Sequence, residues 1–268
     1  MKSQLNTKRT THQNRSMKES KRNILFLILG SFFIANAVIA EFIGVKIFSV
    51  EETLGISPFQ IKLLGDTYSF NMTAGVLLWP MVFVMTDIIN EYYGKHGVRL
   101  FSYIAAALIT YAFIVVYASI QTVPAGFWVT KQTAQGPINM QLAFSSIFGQ
   151  GLWIIIGSLV AFLFGQLVDV YTFHLIKRKT GDKALWLRST GSTLVSQFID
   201  SFVVLIIAFY IGGDWPLKLV LTVGVVNYLY KFIVAIALTP LLYIIHAVID
   251  NYLGKDIAKH LMKEAAKD

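Results

Sequence analysis

The sequence predicts an all-α, polytopic membrane protein, and three observations carry that prediction. Of 268 residues, 55% are hydrophobic and only 14% charged, a balance far from that of a soluble domain. Six runs, near 24–45, 70–92, 98–120, 147–171, 190–212 and 219–247, reach the roughly 20 mostly apolar residues that cross a bilayer as a helix. Alternation at period two is absent, which argues against a membrane β-barrel. The chain divides into a basic arm over 1–22, expected to be disordered, a six-helix transmembrane domain over 23–250 and a tail over 251–268.

Taken in order, the first run begins like a signal peptide, with basic residues, an apolar stretch and Ala35-Asn36-Ala37. It continues through Phe42, Ile43 and Val45 to spanning length, so it is read as a retained helix. The second run contains Pro80 and the sixth Pro240; each frees a backbone carbonyl and is expected to kink its helix. The segments 46–69 and 121–146 are long connections that could fold over a mouth. In the fourth run Gly157, Ala161 and Gly165 recur every four residues, a small-residue stripe for close helix packing. Three helices on each side of the basic loop at 172–189 would make any internal repeat an inverted one, although no residue-level repeat is visible.

The net charge of +8 is topological. With the N-terminus inside and loops assigned alternately, eighteen of the 23 Lys and Arg residues fall on the inner side. Only Lys46, Lys62, Lys131 and Lys218 fall outside, and Lys231 lies within the sixth run. That is the positive-inside pattern, so no nucleic-acid partner is expected and both termini are placed in the cytoplasm. There are no cysteines, and no histidine pair stands at ligand spacing. Disulfides, thiol chemistry and a metal centre therefore have no residues to use, and no cofactor is expected.

The informative residues are the polar ones at bilayer depth. Asp87, Asn90 and Glu91 fall at i, i+3 and i+4, on one face of the second helix. In the fifth, Thr193, Ser196, Gln197 and Asp200 form a continuous polar stripe; in the sixth, Asn227 and Lys231 share a face near mid-depth. The first run adds Asn36 at mid-depth and Glu41 nearer the outer side. Asp169 is grouped with the basic loop beside Lys177 and Arg178, and His174 and His246 with the interfaces. An ionisable group at the centre of a spanning helix costs about 2.5–3.5 kcal/mol, so these groups are expected to face inward onto a polar cavity. Asp200 with Lys231 reads as part of a site, with a static ion pair between helices as the duller alternative.

Three ordered motifs resemble the queuosine precursor transporter family, bacterial membrane proteins akin to vitamin-uptake transporters. They are TDIINEYYG at 86–94, preceded by Trp79-Pro80; SQFIDSF at 196–202; and NYLYKF at 227–232 with TPLLY at 239–243. The resemblance covers about residues 24 to 250. It implies import of 7-cyano-7-deazaguanine and 7-aminomethyl-7-deazaguanine, the precursor bases of queuosine in transfer RNA, across the bacterial inner membrane. It carries over Asp87, Asn90, Glu91, Gln197, Asp200, Asn227 and Lys231 as candidate substrate-binding residues; Asn36 and Glu41 join them on depth alone.

A carboxylate can accept the paired donors of a guanine-like edge, so Asp200 or Asp87 is expected there, with Asn90, Gln197 or Asn227 donating to O6. Trp79, Phe198 or Tyr228 are candidates to stack on the base. No P-loop motif is present, which removes ATP hydrolysis by that route and leaves secondary or facilitated transport. An intramembrane aspartyl protease would use two membrane aspartates, but Thr-Asp at 86–87 and Ile-Asp at 199–200 lack its motif contexts. A carrier, or a substrate-binding membrane subunit, for another heterocycle or vitamin is the alternative. Small-residue helix faces permit a homodimer.

Overall fold

Inside lipid a backbone can satisfy its N–H and C=O groups within one segment only as a helix, and helices dominate this chain. The computed structural model describes residues 2–63, 66–149, 151–181 and 184–266. The basic side chains of the arm through Lys18, and those of Lys183 and Lys267, lie outside the described residues. The long elements are α1 (Lys2–Ile43), α2 (Trp79–Ile120), the short α3 (Met140–Phe148), α4 (Leu152–Thr180), α5 (Leu185–Leu205), α6 (Leu217–Leu253) and α7 (Lys255–Ala265). A π-helical stretch, Ile206–Ile211, extends α5. Among the described residues five helices are long and apolar enough to cross a membrane, and the chain is an all-α polytopic membrane protein.

The runs expected at 70–92 and 98–120 are joined in α2, which is broken at Gly94. There φ is 70° and ψ −176°, a conformation essentially confined to glycine. The contacts of α1 show what the break does. The Tyr93 hydroxyl donates to the Arg22 carbonyl at 2.7 Å, and Gly75 lies against the Ala40 carbonyl. The segment before Gly94 therefore runs antiparallel to α1. Beyond it, Phe101 sits on Gly30, where a Cβ would come within 2.0 Å of the ring, and Phe113 sits beside Phe42. That segment runs parallel to α1, so the chain has turned back on itself.

Pro80 corrects an expectation. It lies in the first turn of α2, where a missing N–H costs nothing and the fixed φ suits the helix, so it starts the helix and does not kink it. Pro240 is inside α6, as expected.

The remaining helices pack pairwise. α4 and α5 are antiparallel, with Gly157 against the Val204 carbonyl and Gly165 against Ser196 and Asp200. The small-residue stripe is thus consumed within the chain. α5 and α6 are antiparallel as well, joined by Phe198–Tyr228 and by a Thr190–Thr239 hydroxyl contact of 2.9 Å. Phe33, Ile88, Ile89, Tyr92, Phe162 and Leu242 belong to one apolar core, which extends to Ala258 and Leu261 of α7. α2 before Gly94 forms the wall between this core and the polar face of α5.

The connections are more ordered than bare loops. Ile47–Ser49 pairs with Asn71–Thr73, Ile61–Leu63 with Asp66–Tyr68 and Thr130–Thr133 with Gly136–Asn139, all antiparallel. Glu51 pins the first connection. Its side chain is fully buried and accepts the backbone N–H of Phe70 at 2.7 Å and of Phe59 at 3.4 Å. Desolvation pushes this carboxyl upward, but those N–H groups and Ser49 outweigh it, and the net effect lies below the usual carboxylate range.

Candidate substrate pocket

One side of α2 does not reach α5, and the gap is a pocket. It spans about 530 Å³ of space between the helices, part of it open to the surroundings. α2 contributes Trp79, Pro80, Phe83 and Asp87; α5 contributes Ser189, Thr190, Thr193 and Gln197; α6 contributes Lys231 and Thr239. Aromatic and aliphatic walls thus meet a small set of polar groups from three helices.

Asp87 is 4% exposed. Its Oδ2 accepts hydroxyls from Ser189 and from Thr193, the latter at 3.5 Å, while Oδ1 has no partner. Gln197 is buried and faces the same space. Lys231 donates to Asp200 across α5 and α6, and Asp200 stands one helical turn beyond Ser196. The structure therefore brings Asp87, Gln197 and Lys231 onto one pocket, with Asp200 behind Lys231.

The other expected residues lie elsewhere. Glu91 is 1% exposed and accepts Arg188 through two of its guanidinium nitrogens, Nη2 at 2.8 Å and Nε at 3.1 Å. Lys177 reaches the same carboxylate at 3.2 Å. This triad ties α2, α4 and α5 together. Asn90 is fully buried against His174, at 3.1 Å. Asn36 donates to the Phe32 carbonyl of its own helix at 2.8 Å. Glu41 accepts the Ser158 hydroxyl at 3.0 Å. Asn227 is half-buried on α6 and does not line the pocket.

Asp169 is a second correction. It is fully buried, because α4 continues to Thr180 and carries it about 16 Å, eleven residues, inside the helix end. Ser196 donates to it at 3.3 Å, Ser192 lies against it, and its charge acts on Asp87. His174 and His246 also turn inward, the latter onto the Tyr92 hydroxyl at 2.8 Å, which itself donates to Asp250 at 2.7 Å. Sequence reasoning missed Ser189, Thr190 and Thr239. Small hydroxyl residues cost little at bilayer depth and gave no burial signal; only their position opposite Asp87 and each other marks them.

Comparison with known proteins gives a consistent set of relatives. A family described as "Putative vitamin uptake transporter" matches residues 73–245. The chain is 32% identical over 194 residues to a "Probable queuosine precursor transporter" of Bacillus subtilis (strain 168), covering 72% of this chain and 79% of that protein. It is 27% identical over 199 residues to a protein of the same name from Haemophilus influenzae, covering 68% and 73% of the two chains. It is 25% identical over 181 residues to the "Queuosine precursor transporter" of Escherichia coli (strain K12), covering 67% and 75%. No solved structure matches.

Proposed function

The chain belongs to the vitamin uptake transporter family, and from that premise we propose that it carries queuosine precursors across the bacterial inner membrane, with both termini in the cytoplasm. The naming of its relatives supports membrane transport of queuosine precursors; the pocket between α2, α5 and α6 is the observation that ties this to residues. Its substrates are 7-cyano-7-deazaguanine and 7-aminomethyl-7-deazaguanine, and it is a carrier and not an enzyme.

In this reading the flat base slides between Trp79 and the α6 wall. The unpartnered Oδ1 of Asp87, with Oδ2, accepts N1–H and the 2-amino group, a bidentate charge-assisted contact. Gln197 donates to O6. Lys231 and Asp200 neutralise one another when the pocket is empty, and the cationic aminomethyl group can draw on Asp200 when it arrives. Asn90, Glu91, Asn36, Glu41 and Asn227 support the walls from positions outside the pocket.

The reading has six membrane passes. A straight helix of the 42 residues in α2 would be about 63 Å long, twice the roughly 30 Å hydrocarbon core, and the reversal at Gly94 supports counting it twice. Passes then alternate, three before and three after the central connection, in opposite orientation, which supports two inverted halves around a domain spanning 23–250. A homodimer would need a face other than the Gly157 stripe, which α5 already covers.

The test is restoration of queuosine in transfer RNA. The host lacks its own importer and precursor synthesis, and each 7-deazaguanine is supplied at low concentration. The wild type restores the modification. Asp87→Asn, which loses charge-assisted bonds of about 1.5–3 kcal/mol, needs about 10–150-fold more base for the same level. Restoration by the wild type of neither base sinks the substrate assignment.

A further inference from the structure

The carboxyl of Asp169 takes no part in the pocket, and its surroundings do not balance its charge. Asp87 and Asp169 project from α2 and α4 onto the same hydroxyl-bearing face of α5. Asp87 meets Ser189 and Thr193, and Asp169 meets Ser192 and Ser196. Among the described residues both are bonded by hydroxyls alone, and each retains one buried oxygen, Oδ1 of Asp87 and Oδ2 of Asp169, without a partner. An ionised carboxylate buried without a counter-charge is strongly disfavoured, and such groups neutralise instead.

The neighbouring charges do not supply what is missing. On α2, Glu91 lies one turn below Asp87 and is held by Arg188 of α5 and Lys177 of α4. On α6, Lys231 faces the same pocket but is neutralised by Asp200 of α5. His174 of α4 is engaged with Asn90. Farther down, His246 and Asp250 of α6 are held by Tyr92. On α1, Glu41 lies beyond Asp200 towards the other end. Among the described residues none of these cations bonds to Asp87 or Asp169, so the pair lacks a positive charge of its own.

We propose that Asp87 and Asp169 form one cation site that binds a single proton, and that this proton travels with the substrate. Resting on the transport reading above, the cycle balances. A proton from outside is shared by the pair in the empty state. When the base presents N1–H and its amino group to Asp87, that carboxylate must be ionised, so the proton resides on Asp169. Base and proton leave together inside, and the carrier returns without either to take up the next proton outside.

Two measurements on the full chain test this separately. In detergent, without substrate, the infrared carbonyl band of a protonated carboxyl group is followed at neutral pH. It is expected in the wild type and reduced in Asp169→Asn and in Asp87→Asn; its absence from the wild type, or an undiminished band in both variants, overturns the site. In proteoliposomes with 7-cyano-7-deazaguanine, an inward gradient of one pH unit drives accumulation up to about tenfold for one proton per base, and base addition moves protons inward. Asp169→Asn brings the ratio of gradient-driven to gradient-free accumulation to about one. Base exchange that ignores the pH gradient, or that follows sodium, overturns proton coupling. If no base exchanges at all, the substrate assignment fails while the infrared result still decides the proton site.

Discussion

Single side chains here differ in how far sequence could place them. Asp87, Gln197 and Lys231 were legible because a polar group at bilayer depth must find a polar neighbour, and a pocket satisfies that demand. Asn36 makes the same demand but meets it on its own helix, at the Phe32 carbonyl, a local solution that spacing cannot distinguish from a site. Asp169 was misplaced because its depth depends on where α4 stops, and the apolar run ends well before the helix does. Glu51 drew no attention at all, since its partners are backbone N–H groups 8 and 19 residues away. It gives a pH prediction. Its folded carboxyl lies below its ordinary value of 4.5, so the stability it lends is complete above about 4.5 and disappears as pH falls through the lowered value. Amide exchange at Phe70 is expected to quicken across that acid window in the wild type. Glu51→Gln should exchange faster at every pH and show no such step; an unchanged Phe70 amide in that variant would remove Glu51 as the anchor.

At the scale of elements, apolar length located the middle of each of the five membrane-length helices but not their ends, since α1 starts at Lys2 and α4 runs on to Thr180, and it could not see how α2 is interrupted. Composition locates the two runs, but the turn depends on backbone angles at Gly94 that no hydropathy pattern encodes. A side chain at Gly94 must adopt a backbone region that costs about 1–3 kcal/mol. For a chain of this size, about 2–4 °C of melting temperature is lost per kcal/mol. Gly94→Ala is therefore expected to melt several degrees lower, whereas Gly126→Ala, with open space around it, should melt as the wild type does. Equal melting of the two variants would mean that Gly94 bends the helix without strain. The expected small-residue stripe belongs to this scale too: its period was readable, and its partner, the π-extended end of α5, was not.

For the whole molecule, positive-inside counting and the helix pairings agree on which ends lie together. Arg22, Tyr93 and Tyr252 gather at one end through Tyr93–Arg22 and Lys21–Tyr252 bonds. The chain has no native cysteine, so single cysteines report sidedness cleanly. Lys95→Cys and Arg178→Cys should both react with an impermeant thiol reagent only in inverted vesicles, and Gly136→Cys only in right-side-out cells. A Lys95→Cys that labels from outside would mean that α2 crosses once. The hydroxyls of α5 have a last consequence. Ser189 and Thr193 stand one turn apart, as do Ser192 and Ser196, like evenly spaced rungs opposite two fixed hooks. A slip of α5 by one rung, about 5.4 Å, leaves Asp87 with Thr193 and Asp169 with Ser196 and brings Gln197 and Asp200 in beside them, so each hook keeps one hydroxyl as the helix ratchets. Gly157 and Ala208 are near enough, at 3.4 Å between a Cβ at Gly157 and that of Ala208, for cysteines at both positions to bridge α4 to α5. Oxidation of that pair should stall uptake and a reductant should restore it, whereas undiminished uptake across the closed bridge would mean that the ladder never moves.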